Sequence, residues 1–282
     1  MRSLRSRFRR SDQAESGVPG RPTHPLAHEA LLITGAILAY FAVRNVTAGS
    51  PEAAFDNAER IVAFQDRIGI NREDEIQGAV IDHEWVIDLA NWVYIWGHWP
   101  VIISAAAVLF LWRRDRYVLL RNALFISGAI GFLFFAFFPV APPRYLDLGL
   151  VDTVTDRSYT YRALQPPGLT NQYAAFPSLH AGWNLLVGIV LFLAFTRLGA
   201  RAFAVLMPVA MALAVVVTAN HFFVDVASGY AVVLVGLAAA LGLQRLPRRS
   251  VSTLAADGIS GDRRVDQRPT EHGTSRGSPP GG

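Results

Sequence analysis

Six apolar stretches dominate the chain, at roughly 29–48, 92–112, 118–140, 179–196, 202–220 and 223–244. About twenty apolar residues in a helix match the roughly 30 Å hydrocarbon core of a bilayer. Within lipid every backbone polar group must be paired inside the segment, which leaves helices or a closed barrel. These runs are continuous rather than alternating, so the expected fold is all-α: a polytopic membrane protein with a six-transmembrane-helix bundle. A hydrophobic fraction of 52% against 17% charged residues agrees with that class over a soluble one. The first stretch lacks a small-residue cleavage site and is expected to be a retained span. The fourth is short and starts on polar residues, as a helix opening onto an aqueous cavity would.

Residues 1–28 and 246–282 are rich in Arg, Ser, Pro and Gly and are expected to be disordered cytoplasmic tails around a membrane catalytic domain at 29–245. Arginine sets the orientation. Arg2, Arg5, Arg7, Arg9 and Arg10 precede the first span, and Arg113, Arg114 and Arg116 join spans two and three. Arg197 and Arg201 join four and five, and Arg245, Arg248 and Arg249 follow the sixth. All fall on one side if both termini are cytoplasmic. The other side receives residues 141–178 and 49–91, the latter with ten acidic residues and three arginines. Within it, Ala54, Phe55, Ala58, Ile61, Val62 and Phe64 predict an extracytoplasmic amphipathic helical segment over 51–80, packed over the bundle mouth. Trp92, Tyr94, Trp96 and Trp99 read as an interfacial aromatic belt.

The chain has no cysteine, which removes disulfides, thiolate nucleophiles and Cys-ligated metals. All 26 basic residues are arginine, so no step can use a lysine. Such usage reads as the codon bias of a GC-rich genome, and a bacterial plasma membrane is the expected location. No Gly-rich phosphate loop, internal repeat or nucleic-acid signature is present.

Three polar motifs stand at the outer ends of spans. Pro177-Ser178-Leu179-His180 opens span four, where unpaired N–H groups and a positive dipole end favour an anion. A plain helix cap by Ser178 explains the same residues. His221 and Asp225 are four apart at the start of span six, on one side of a helix, where a carboxylate fixes an imidazole's tautomer. Arg144, beside two prolines at the exit of span three, offers a guanidinium to phosphate oxygens or to lipid headgroups. His98 lies one turn inside span two and either lines the site or belongs to the aromatic belt.

The order Pro-Ser-x-His followed by His-x-x-x-Asp, each opening a span, resembles the type 2 phosphatidic acid phosphatase superfamily. NQYAAFPSLHAGW and FPVAPPRYL resemble its inositol phosphotransferase branch, which includes inositol phosphorylceramide synthase. The resemblance covers about residues 30–244 and implies that His221 is the nucleophile, Asp225 orients it and His180 protonates the leaving group. Arg144, Ser178 and His98 are then the expected substrate-binding residues, with no metal and no cofactor. The implied partners are a lipid phosphate substrate and the bilayer, with no nucleic acid, and the oligomeric state is left open.

The chain departs from the family pattern at several points. The Lys-bearing first motif is missing, Ala214 and Val215 stand where Ser-Arg is usual, and Leu179 replaces a glycine. The expected function is phosphoryl transfer from lipid-linked phosphate or phosphodiester through a phosphohistidine. Lipid phosphate phosphatase activity, of the phosphatidic acid or polyprenyl phosphate type, is the alternative. An intramembrane serine protease, a metalloenzyme built on His98, His180, His221 and Asp225, and a non-enzymatic transporter or channel are the other classes weighed.

Overall fold

The computed structural model describes residues 27, 29–36, 38, 51–157 and 171–245. The expected tails, apart from Ala27, and the second half of the 29–48 span lie outside the described residues. Of the unit Arg245–Gly282 only Arg245 is described; everything else belongs to the unit Met1–Gln244.

Among the described residues of 51–245, apolar periodicity becomes nine α-helices: α1 Pro51–Ile68, α2 Glu73–Val80, α3 Glu84–Trp96, α4 Trp99–Trp112, α5 Arg114–Phe137, α6 Thr153–Arg157, α7 Leu179–Ala194, α8 Leu198–Val217 and α9 Phe223–Arg245. Residues 29–36 are helical too. Among the described residues no strand forms, and one isolated bridge joins Val140 to Ala174.

Three of these helices, α5, α8 and α9, are each long and apolar enough to cross a membrane. The stretch expected at 92–112 differs in form. It begins earlier and is two helices, α3 and α4, bent by 50° at Gly97-His98, and it makes a fourth crossing only as a broken span. Pro100 is the cause: it lacks an N–H, and its ring would meet the carbonyl four residues back, which in a continuous helix costs about 3 kcal/mol. Helix α7 has 16 residues, or about 24 Å, shorter than the hydrocarbon core.

The amphipathic expectation for 51–80 resolves into α1 and α2, separated where Gly69 takes φ +74°. The buried face of α1 is Ala54, Asn57, Ala58, Ile61 and Gln65, while Phe64 turns outward. This face docks on the exit of α5, where Asn57 Nδ2 donates to Pro139 O at 2.9 Å and the Ala141 N–H donates to Ala54 O at 3.0 Å.

At the other end of α5 the arginine groups gather. Glu29 is buried and accepts from Arg121 at 2.6 Å and from Tyr117 Oη at 2.8 Å, with Arg114 at 3.5 Å. Arg113 and Arg201 donate to the carbonyls of Ala194 and Phe195 that end α7.

Between these ends α7 packs against α4, α5, α8 and α9, its Leu186, Val187 and Val190 in one cluster with Leu109, Leu120 and Val233. Two glycines let α7 and α9 meet backbone to backbone. A Cβ on Gly182 would stand 2.6 Å from Gly229 O, and one on Gly229 would overlap the Ser178 carbonyl. In lipid, small residues of this kind let dispersion drive helix association. Gly229→Val is expected to lower the unfolding free energy by about 1–3 kcal/mol, the usual range for overpacking. Gly242→Val, where a Cβ meets open space, should change little. Thermal unfolding in detergent compares the two, and equal stabilities would refute the close contact.

Candidate active site

The turn between α8 and α9 carries His221, and its shape follows from how α8 ends. The Ala219 N–H donates to Val216 O at 2.9 Å and the Asn220 N–H to Val215 O at 3.0 Å. This crossed pair of bonds is a Schellman cap, with Ala219 in the left-handed position at φ +53°. A residue with a Cβ costs roughly 1–2 kcal/mol there. The conformation holds because Thr218 Oγ1 donates to Ala214 O at 2.7 Å, Asn220 Nδ2 donates to Thr218 Oγ1 at 2.8 Å, and the Arg144 N–H donates to Ala219 O at 3.1 Å.

His221 leaves this turn buried. Its Nδ1 lies 2.8 Å from the Ala175 carbonyl and 3.5 Å from Asp225 Oδ2. The tighter partner is therefore a backbone oxygen from the segment before α7, which the sequence did not signal. With the Nδ1 proton donated to that oxygen, Nε2 is the ring nitrogen left with a lone pair. Asp225 is fully buried, and the same Oδ2 accepts from the Phe222 N–H at 2.8 Å. The spacing of four that pairs His221 with Asp225 thus brings them together, with the carboxylate also tying down the start of α9.

His180, in the first turn of α7, has its ring centroid 5.9 Å from that of His221. It is held between two other rings, Tyr94 stacked at 4.8 Å and His98 at 4.1 Å. His98 is the residue at the α3–α4 break. It is buried, lies parallel to Trp183 at 5.7 Å, and has no hydrogen-bond partner at Nδ1. Tyr94 departs from the belt expectation. Trp92, Trp96 and Trp99 are exposed on one side of the bent pair, whereas Tyr94 is buried against His180. The signal was available in the numbering, since positions 92, 96 and 99 share a helical face and 94 lies on the opposite one.

Ser178 caps α7, its Oγ accepting from the Ala181 N–H at 3.4 Å. Its own N–H donates to Asp225 O at 2.9 Å. Two of the amides that could have cradled an anion are therefore occupied by structure, and the hydroxyl proton remains to be donated.

Arg144 is brought to the same place. One Nη donates to Asn220 Oδ1, Nε lies 3.1 Å from Asp152 Oδ2 in an ion pair angled away from a hydrogen bond, and the guanidinium stands 4.7 Å from the Tyr145 ring. Asn220 and Asp152, which aim it, were not anticipated. Leu179 packs on Gly131 of α5, so the glycine missing from the motif has a counterpart across the helix pair. Ala214 and Val215 are buried in the core shared by α3 and α8. Among the described residues no group of three or more His, Asp or Glu comes together with metal-binding geometry.

A family model described as the PAP2 superfamily matches residues 59–239, a range that contains every one of these side chains. No curated protein and no solved structure matches the chain.

Strain at the turn is open to measurement. Ala219→Gly relieves the left-handed Cβ and should raise the unfolding free energy by about 0.5–1 kcal/mol, while Ala219→Val should lower it. Thermal unfolding of the pair in detergent checks the order, and a stabilising valine would mean the turn is not left-handed.

Proposed function

Because this chain belongs to the PAP2 superfamily, we propose that it is a membrane phosphotransferase acting on lipid-linked phosphate or phosphodiester through a phosphohistidine. The observation that carries the reading is the pair of imidazoles, His180 and His221, 5.9 Å apart with the Arg144 guanidinium beside the same turn.

In the first step His221 Nε2 attacks phosphorus while the bond from phosphorus to the leaving oxygen breaks. The His180 imidazolium gives its proton to that oxygen. In the second step neutral His180 takes the proton of an acceptor hydroxyl, whose oxygen forms a new bond to phosphorus as the P–N bond breaks. His221 and the His180 imidazolium are regenerated. Arg144 and the Ser178 hydroxyl balance charge on the non-bridging oxygens, and His98 binds on the His180 side. Asp225 holds the His221 ring and stabilises positive charge on it. Neither step calls on a metal or a cofactor.

The acceptor we favour is an alcohol of the inositol type rather than water. The motif wording around Arg144 and His180 supports it, as does the amount of chain over the site: α1, α2 and the segment 138–157 all pack at the end that carries His221. The reading includes six spans, with α7 and the 29–48 stretch counted among them. Both termini are cytoplasmic and the site is extracytoplasmic in a bacterial plasma membrane.

Two experiments test it. Purified protein in EDTA, given phosphatidic acid and phosphatidylinositol with and without free inositol, should turn over one of them and move labelled phosphoryl to the alcohol. His221→Ala should lose at least about 10³-fold in rate and Asp225→Asn about 10²-fold or more. Free phosphate as the sole product would leave a phosphatase, and near-normal activity of His221→Ala would remove the nucleophile. For topology, the absence of native cysteine gives a clean background. Cysteines at the exposed positions Asp147 and Thr196 should label from outside and inside respectively in intact cells, and the reverse pattern would invert the orientation.

A further inference from the structure

Helix α9 begins without a cap of its own. Phe222 precedes its first residue and lacks the side-chain oxygen that Ser, Thr, Asp or Asn supplies at that position. Asp225 reaches back to the Phe222 N–H at 2.8 Å, half of a capping box. The next two amides have no partner within the helix, and both are taken by side chains distant in sequence. The Phe223 N–H donates to Glu73 Oε1 at 3.0 Å across 150 residues, and the Val224 N–H to Gln65 Oε1 at 3.0 Å across 159.

The two side chains also hold each other. Gln65 Nε2 donates to Glu73 Oε1 at 2.7 Å, and the Arg72 N–H donates to Glu73 Oε2 at 3.0 Å. Both are buried, Gln65 completely and Glu73 at 2% exposure. A buried carboxylate needs donors and a compensating field, and here it has three N–H donors and the positive end of a helix dipole. Neither residue takes part in the reaction proposed above.

We infer that Glu73 and Gln65 are positioning residues for His221, which clamp the first turn of α9 so that the imidazole keeps one tautomer and one aim. The inference rests on the reading of His221 as the nucleophile. His221 sits between two anchors. Its own N–H is bonded to Val215 O at 3.1 Å on the α8 side, and the Glu73–Gln65 pair fixes the chain two residues later on the α9 side. With the second anchor gone, the first turn of α9 is free to fray. The contacts of Nδ1 with Ala175 O and Asp225 Oδ2 then lose their fixed geometry. The clamp also explains why Gln65 of α1 and Glu73 of α2 are buried polar residues.

The test uses the full chain in detergent micelles with ¹⁵N-labelled histidine, the His221 signal being assigned by its loss in His221→Ala. It is paired with kcat and KM on dioleoyl phosphatidic acid. Glu73→Ala removes the acceptor, Glu73→Gln keeps an oxygen for the Phe223 N–H, and Gln65→Ala opens the Val224 amide while keeping the carboxylate. Tyr117→Leu breaks the Tyr117–Glu29 pair at the opposite end of α5 and serves as a control for lost stability alone. Glu73→Ala should cut kcat at least about tenfold, with KM within about twofold, and turn a single Nδ1–H tautomer of His221 into a mixture. Glu73→Gln should retain the tautomer and most of kcat, and Gln65→Ala should fall between them.

An unchanged tautomer in Glu73→Ala overturns the inference, as does an equal loss of kcat in Tyr117→Leu at matched thermal stability. If Glu73→Ala does not fold, the tautomer in Gln65→Ala decides in the same way. If the wild type turns over no phospholipid, the functional reading fails, and the tautomer comparison still decides the clamp.

Discussion

One backbone hydrogen bond, from the Ser178 N–H to the Asp225 carbonyl at 2.9 Å, sets the distance between the two halves of the site. It forms only because α7 and α9 approach without side chains between them, at Gly182 and Gly229. A buried amide left unpaired costs roughly 1–3 kcal/mol, so the bond holds the two helix starts in register as well as in contact. His180 stands two residues after Ser178, and Asp225 itself carries the accepting carbonyl. The 5.9 Å between the rings of His180 and His221 is therefore a consequence of main-chain packing. Side chains mounted on such a contact have little room to drift, which is what the proposed transfer, with His221 as nucleophile and His180 as acid and base, asks of its scaffold.

The turn after α8 adds a second constraint of a different kind. Ala219 occupies a left-handed position that glycine would fill more cheaply, and its carbonyl receives the Arg144 N–H at 3.1 Å. The 138–145 exit of α5 is thereby joined to the turn through backbone, while Asn220 and Asp152 aim the Arg144 side chain. Strain at one residue is sustained by bonds within the turn and from the 138–145 exit. Left-handed alanine is uncommon enough that its place next to the proposed nucleophile fits strain kept for function.

Much of this was legible in the sequence because helical spacing is a local property. The pairing of His221 with Asp225 needed only a difference of four, and Ser178 announced its cap by residue type. The helical class followed from run length alone. What escaped has a common cause: contacts between distant segments leave no period. The Ala175 carbonyl carries no side-chain signature, and nothing in the local pattern of 51–80 marks Gln65 and Glu73 as partners of a helix start 150 residues away. The 92–112 run differs in form for another reason: Pro100 interrupts its helix, and the break places His98 against His180. Tyr94 was grouped with three tryptophans by composition, whereas its position on the helix already separated it.

Water is the competitor in any transfer from a phosphohistidine, and the structure bears on how it would be kept out. His98 is buried with Nδ1 unpartnered, and Asn184, one turn after His180, has an unpartnered buried Oδ1 while its Nδ2 donates to His180 O at 3.0 Å. His98 Nδ1, on the ring that lies against His180, is an unmet polar atom that the acceptor hydroxyl of the proposed second step could satisfy. Well-oriented groups reach effective molarities of roughly 10⁵ M or more, far above the concentration of water in water itself. An alcohol held there would win even with solvent present, provided its oxygen is aimed at phosphorus. Exclusion of water by α1 and α2 is then a lesser requirement than aim, and aim in this chain depends on how firmly the starts of α7 and α9 are held together.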